Sequence, residues 1–315
     1  MRAKCPTGDR NGGVMHGPYT LAMAITINLS TGLRAWITDN LARGAPPAAM
    51  IEALVGKQFE PQVARGLIEA FVSAQESGRP VPEHSVRLDM EASPYEYETP
   101  RIAPGNLIRA GDREIRVLQR LRSPVVVTLE RVLHDEECVQ LIGLAQPRLQ
   151  RSTVVDGPTG TNVTAGRRGS DGMFFRLREN PFIAQLDERL SALMNCPVEN
   201  GEGLQVLHYS PGGQYPPHFD FLTPSNPASA HSIARSGQRV STLIVYLNDV
   251  TEGGETVFPE AALSVVPRRG NGLYFEYTNS RGQVDPRSAH GGAPVSAGEK
   301  WIVTKWMRAR RFISA

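Results

Sequence analysis

The stretch Gly203–Asp220, GLQVLHYSPGGQYPPHFD, ends in His218-Phe219-Asp220. Successive side chains of an extended strand alternate faces. His218 and Asp220 therefore point one way and Phe219 the other. An imidazole beside a carboxylate supplies two of the three ligands of an open-sided 2-His-1-carboxylate site, the set that suits non-haem Fe(II). A distant histidine must complete it. His290, in Ser288-Ala289-His290-Gly291, is the candidate, and Lys300 follows ten residues later. A lone His-x-Asp is common, and its bland reading is a surface histidine with a hydrogen-bonded aspartate. The surroundings decide between the two.

Those surroundings are an ordered set: His218-x-Asp220, then Gly253-Gly254-Glu255-Thr256-x-Phe258-Pro259, then His290 and Lys300. With them stand Gln238-Arg239-Val240-Ser241-Thr242, Tyr246-Leu247-Asn248 and the run from Lys300 to Trp306. On these motifs the chain, roughly from Val125 to Met307, resembles the 2-oxoglutarate- and Fe(II)-dependent dioxygenases, and among them the prolyl 4-hydroxylase group of soluble bacterial or algal type. The resemblance implies a double-stranded β-helix, or jelly roll, with His218, Asp220 and His290 as metal ligands and catalytic centre. It implies Fe(II), 2-oxoglutarate and O2 as cofactors, with ascorbate as a candidate reductant. Lys300, Tyr209 and Thr242 match positions that bind 2-oxoglutarate. A buried lysine is costly without an anion, which agrees with that role for Lys300. Tyr215, Arg239 and Trp306 match positions lining the substrate groove, and flat aromatic side chains suit a proline ring. Arg168 and Ser170 match a motif beside a mobile loop, here Val154–Gly166, which reads as a lid. Phe219 departs from the pattern, standing where tyrosine is common.

Composition sets outer bounds. A chain of 315 residues holds one large domain with an appendage, or two domains. A net charge of +2 gives no argument for nucleic acid or an anionic membrane as partner. Cys5, Cys138 and Cys196 are three widely spaced cysteines without a CxxC pair, which fits a reducing, cytoplasmic setting. No apolar run approaches the roughly 20 residues needed to span a bilayer, and the apolar Thr20–Ile27 is short for a signal-peptide core. Oligomeric state is not legible.

Taken in order, residues 1–22 mix Gly, Pro and charge and read as a disordered leader, with Met15 and Met23 as alternative starts. Residues 23–77 read as a small module of three helices. One is capped at Ser30 or Thr31 and stopped by Gly44, one opens at Pro46-Pro47, and one opens at Pro61. It is either a structural appendage or a docking module. Residues 78–112, rich in Pro, Glu and Tyr, read as a linker. The dioxygenase domain spans 113–312. Two supporting helices, from Asp135 and from Pro181, precede short strands at Leu204–Tyr209, Tyr215–Phe221, Val240–Leu247, Gly254–Phe258, Leu263–Val266, Gly272–Tyr277 and Trp301–Met307. That is a mainly β fold with supporting helices. His208 and His231 read as structural or exposed, and Thr223–Gly237 as an insertion.

The expected activity is hydroxylation of prolyl residues in a protein or peptide, coupled to decarboxylation of 2-oxoglutarate to succinate and CO2. The same chemistry on a free amino acid or other small molecule is the alternative. A non-catalytic binding module is disfavoured because the triad and Lys300 are all present. No Gly-x-Ser-x-Gly elbow or phosphate-binding loop supports a hydrolase.

Overall fold

The computed structural model describes residues 22–57, 59, 61–91, 95–151, 153–155, 162–164, 169–224 and 226–314. The chain divides into two compact units, Met1–Pro94 and Tyr95–Ala315.

The first unit contains the three expected helices, α1 (Thr31–Ala42), α2 (Pro47–Val55) and α3 (Pro61–Glu76). The Ser30 hydroxyl accepts from the Leu33 amide at 3.1 Å and caps α1. Ile37, Met50, Leu54, Leu67, Ile68 and Phe71 form their shared core. The unit is not purely helical, however. Strand β1 (Ala22–Asn28) pairs antiparallel with β2 (Ser85–Glu91). Val86 and Leu88 of β2 are buried while Ser85 and Arg87 are exposed, so this short alternation faces the helices. Its brevity, amid Pro- and Glu-rich sequence, hid it. Apart from Ala22, the expected disordered leader lies outside the described residues.

The expected linker 78–112 is therefore corrected at both ends: β2 belongs to the first unit, and residues from Tyr95 onward belong to the second. The Tyr97 hydroxyl donates to Asp285 Oδ2 at 2.9 Å, and the Arg101 amide donates to Glu276 Oε1 at 2.6 Å. Ile102 and Ile108 are buried in the second unit's core.

The second unit runs β3 (Leu107–Ala110), β4 (Arg113–Arg122), β5 (Val125–Glu130), α4 (Asp135–Ala145), β6 (Gln150–Arg151), β7 (Thr153–Val155), β8 (Asn162–Thr164), β9 (Ser170–Phe175), α5 (Pro181–Leu193) and β10 (Leu204–Tyr209). It continues through β11 (Tyr215–His218), α6 (Pro227–Ser236), β12 (Arg239–Tyr246), β13 (Glu252–Gly253), β14 (Thr256–Phe258), β15 (Leu263–Val265), β16 (Gly272–Glu276), β17 (His290–Gly292), β18 (Val295–Ala297) and β19 (Lys300–Arg308). Nine strands form one sheet in the order β3-β4-β5-β16-β12-β19-β10-β9-β6, and four form another in the order β11-β17-β14-β15. The strands of both are antiparallel, and together they make the jelly roll.

Alternation along the central strands separates two cores. Leu243 and Val245 of β12 and Trp301 and Val303 of β19 join Leu141 of α4 and Ile183, Leu186 and Leu190 of α5. Ile244, Tyr246 and Ile302 point the other way, onto Phe258, Phe275 and Val295. The large sheet is buried on both faces, which is why Val240–Leu247 reads as an almost unbroken apolar run. The loop expected over Val154–Gly166 contains the β7–β8 ribbon. The lid role and Arg168 fall on residues outside those described, at 156–161 and 165–168. The insertion Thr223–Gly237 holds α6, capped by the Asn226 side chain, which accepts from the Ser229 amide at 3.1 Å.

Candidate active site

A pocket opens between the two sheets. Tyr215, His218 and His290 line it from the small sheet, and Tyr209, Lys300 and Trp306 from the large one. Strands β11 and β17 pair so that His218 lies directly opposite His290. Gly291 permits this approach, because a Cβ there would stand 2.7 Å from the Tyr215 carbonyl oxygen. The strand ends at His218, two residues before the expected aspartate. The inward–outward alternation nonetheless continues: Asp220 is 7% exposed and Phe219 is 43% exposed.

His218, Asp220 and His290 bring their ligand atoms within 4.8 Å of one another. Asp220 Oδ1 lies 3.7 Å from His218 Nε2, and Oδ2 lies 3.6 Å from His290 Nε2. Each imidazole places Nδ1 3.0 Å from a backbone carbonyl, that of Pro216 for His218 and that of Ser288 for His290. A carbonyl only accepts, so each Nδ1 donates to it and each ring turns Nε2 toward Asp220. Burial alone would raise the Asp220 carboxyl. The two imidazoles, Arg239 and the Thr242 hydroxyl outweigh it and hold the carboxyl at about 2. The aspartate is thus an anion at neutral pH. Two imidazole Nε2 atoms and one carboxylate on an open pocket fit Fe(II).

Lys300 is 3% exposed, and among the described residues its Nζ makes no hydrogen bond or ion pair. It stands over the rings of Tyr209, at 5.6 Å, and Tyr246, at 5.8 Å. Burial pushes its pKa down to about 8, against the opposing pull of Glu255. A desolvated cation that still lacks an acceptor fits the far carboxylate of 2-oxoglutarate. Tyr209 is paired directly across from Lys300 and lines the same wall.

Thr242 does not sit with them, which corrects its expected contact with 2-oxoglutarate. Its hydroxyl donates to Asp220 Oδ2 at 2.6 Å and lies 3.0 Å from the Tyr277 hydroxyl. Thr242 pairs with Trp306, six strand residues from Lys300 on β19, or about 20 Å at the usual rise. The parity of Thr242 was legible; its distance along the strand was not. The threonine nearer Lys300 is Thr256, which sequence reasoning placed in the Gly253–Pro259 motif but gave no role. It lines the pocket, and its Oγ1 accepts from the Tyr246 hydroxyl at 2.8 Å.

Tyr215 stacks on His218, with centroids 3.8 Å apart. Trp306 lines the pocket. Arg239, expected to bond a peptide carbonyl, is held by groups of the chain itself. Its Nε and one terminal nitrogen each donate to the Glu202 carboxylate at 2.7 Å, and the other donates to the Asp220 carbonyl at 3.3 Å. Its guanidinium lies 4.2 Å over the Trp306 ring. Arg308 also donates to Glu202, at 3.1 Å. Glu202 was not singled out from the sequence. His208 Nε2 pairs with Glu299, and its ring stacks on Trp301; His231 is exposed on α6.

Residues 204–308 match the model of the 2OG-Fe(II) oxygenase superfamily. Prolyl 4-hydroxylase 1 of Arabidopsis thaliana is 41% identical over 219 residues, covering 65% of this chain and 75% of that protein. Prolyl 4-hydroxylase 5 of the same plant is 38% identical over 221 residues, covering 64% and 74%. A viral collagen prolyl hydroxylase from Paramecium Bursaria Chlorella virus-1, solved with 2OG, aligns with 58% of this chain and 96% of its own at 27% identity and a TM-score of 0.46. The chain is thus an Fe(II)-, 2-oxoglutarate- and O2-dependent dioxygenase, and it belongs to the prolyl 4-hydroxylase family of the 2OG-Fe(II) oxygenases.

Proposed function

We propose that this enzyme hydroxylates prolyl residues of a protein or peptide, with His218, Asp220 and His290 holding the iron and Lys300, Tyr209 and Thr256 holding 2-oxoglutarate. The observation that carries the reading is the arrangement of one pocket wall. Lys300, Ile302, Thr304 and Trp306 share a face of β19, with the unpaired cation at one end and the tryptophan at the other. The triad lies across from that wall. Bound there, Fe(II) with O2 and 2-oxoglutarate supplies an oxidation able to place one oxygen atom on an unactivated carbon, releasing succinate and CO2.

The chain's own groups do the positioning. The Pro216 and Ser288 carbonyls fix both imidazoles in the Nδ1–H tautomer. The Thr242 hydroxyl fixes the Asp220 carboxylate. Arg239, locked by Glu202, backs the Trp306 ring so that its face is presented to a flat apolar group. Tyr215 stacks on the His218 ring and holds its plane.

Ascorbate acts as the auxiliary reductant in this reading, and the cytoplasm is the compartment. Cys138 and Cys196 are both free, which suits a reducing setting. Among the described residues no helix is long and apolar enough to cross a membrane.

The test is succinate release from 2-oxoglutarate in air with Fe(II), with and without Pro-rich peptides, read with mass spectrometry of the peptides. A peptide-dependent rise in succinate with one oxygen atom gained at proline supports the reading. Peptide-independent succinate with unmodified peptides redirects it to a small-molecule substrate.

A further inference from the structure

Residues 95–101 form no helix or strand, so their polar groups must find partners elsewhere. They find them at the end of β16 and in the loop that joins it to β17. Glu98 accepts from the Ser280 amide at 2.9 Å and from the Ser280 hydroxyl at 2.6 Å. The Glu96 carbonyl accepts from Asn279 Nδ2 at 3.1 Å, and the Glu96 carboxylate pairs with Arg281. Arg101 donates to the Thr278 carbonyl at 3.3 Å. This strap lies along a loop that ends in His290, the first residue of β17. Tyr97 reaches deepest. Its ring meets that of Tyr95 edge-on, with centroids 4.9 Å apart, and its hydroxyl donates to Asp285 Oδ2 at 2.9 Å. Asp285 is 1% exposed. Its Oδ1 accepts from the Arg287 amide at 2.9 Å and caps the turn Pro286–Ser288. Its carbonyl accepts from the Ser288 hydroxyl at 2.7 Å and the Ser288 amide at 3.1 Å. The Ser288 carbonyl then takes the Nδ1 of His290 at 3.0 Å. A buried carboxylate oxygen that loses its donor bears the full desolvation cost or moves. Here any movement of Asp285 carries the turn that orients His290.

We propose that Tyr97 is a positioning residue for the metal: by anchoring Asp285 it fixes the turn that holds His290 Nδ1. This rests on the reading of His290 as an iron ligand. Tyr97 touches neither metal nor substrate. It acts through Asp285 and Ser288, one step beyond the carbonyl that orients the imidazole. The support of the iron site therefore begins well outside residues 204–308, the span that matches the oxygenase family model. Loss of a group that directly orients a metal-bound histidine costs roughly tenfold or more in metal affinity. A group one step further out should cost less, about fivefold.

The test loads the full chain with Co(II), a spectroscopic stand-in for Fe(II). Two quantities are read: the d–d absorption of the bound ion, which reports the arrangement of its ligands, and the rate at which a chelator removes it. Tyr97→Phe keeps the ring and deletes only the hydroxyl. It should release Co(II) about fivefold faster than wild type and shift the d–d bands. Glu98→Ala frees the strap from the same loop at Ser280, off the route to Asp285. Glu98 is exposed, so this variant should fold, and it should match wild type in both readouts. A wild-type release rate in Tyr97→Phe overturns the proposal. So does faster release with unshifted bands, because the hydroxyl would then not set the ligand arrangement. Equal acceleration in Glu98→Ala also overturns it, by making the strap a general brace for the loop. His290→Ala separates the two levels of the reading. If it binds Co(II) as wild type does, His290 is not a ligand, and the inference falls with the iron site. If it loses Co(II) while Tyr97→Phe behaves as wild type, the iron site stands and the inference alone fails.

Discussion

The two ends of the pocket are built differently, although one strand, β19, supplies a wall of both. The Lys300 end is a desolvated cation among tyrosines, with Thr256 and Tyr246 hydroxyls close by. The Trp306 end has no charge of its own facing in. Its arginine is already bound to Glu202, and the buried polar atoms there without a partner among the described residues, Trp306 Nε1 and Gln205 Oε1, are a neutral donor and a neutral acceptor. An unpaired charge selects an anion and holds it firmly. Unpaired neutral groups select a shape and a hydrogen-bond pattern, and each contributes less. The comparison teaches that cosubstrate and substrate are sorted by charge before they are sorted by shape.

The largest expected effect removes the centre that both ends serve. His290→Ala or Asp220→Ala should abolish stoichiometric Fe(II) binding and cut turnover on the order of a thousandfold, with an unchanged circular dichroism spectrum. Retained turnover would mean that the triad is misassigned. Next, Lys300→Ala should raise KM for 2-oxoglutarate on the order of a hundredfold, the scale of a charge-assisted hydrogen bond, and leave peptide KM unchanged. Thr242→Val should weaken iron retention against a chelator by roughly tenfold, as loss of a group that orients a ligand does. It should not change KM for 2-oxoglutarate; a selective rise there would restore Thr242 to the cosubstrate. Trp306→Phe, which deletes only the N–H and part of the ring, should raise peptide KM by about tenfold or less.

The smallest expected effect is one of pH. Burial holds the Lys300 pKa at about 8, below the ordinary value of 10.5. Deprotonation removes the partner of the 2-oxoglutarate carboxylate, so KM for 2-oxoglutarate should climb as pH rises through about 8. Between pH 8 and 10.5 the unfolded lysine holds a proton that the folded one has lost. In that window this group makes the cosubstrate-free protein more stable as pH rises. Thermal shift by 2-oxoglutarate, followed from pH 7 to 9, should therefore shrink. A shift that stays constant would move the carboxylate anchor away from Lys300.

How much of this was legible in the sequence depended on the range of the interaction. His218 and Asp220 are two residues apart, and the period of a strand fixes their common face whatever the rest of the chain does. His290 and Lys300 came from ordered motifs, and the β11–β17 pairing explains why such a distant histidine arrives opposite His218. Thr242 failed because parity places a residue on a face but not at a position along it, and only the register with Trp306 shows how far it lies from Lys300. The tie of Arg239 to Glu202 was not legible because the two lie 37 residues apart in the chain. Strand β2 was missed because its alternation is short and sits among prolines and glutamates. Tyr97 read as part of a linker because its partner, Asp285, lies 188 residues away.

The most direct measurement of the two-ended pocket is a crossed kinetic comparison of Lys300→Ala and Trp306→Phe, with KM determined for both 2-oxoglutarate and an Ala-Pro peptide. The structure predicts a cross: Lys300→Ala raises only the 2-oxoglutarate KM, and Trp306→Phe raises only the peptide KM. Parallel rises in both constants for either variant would contradict the division of the pocket into a cosubstrate end and a peptide end.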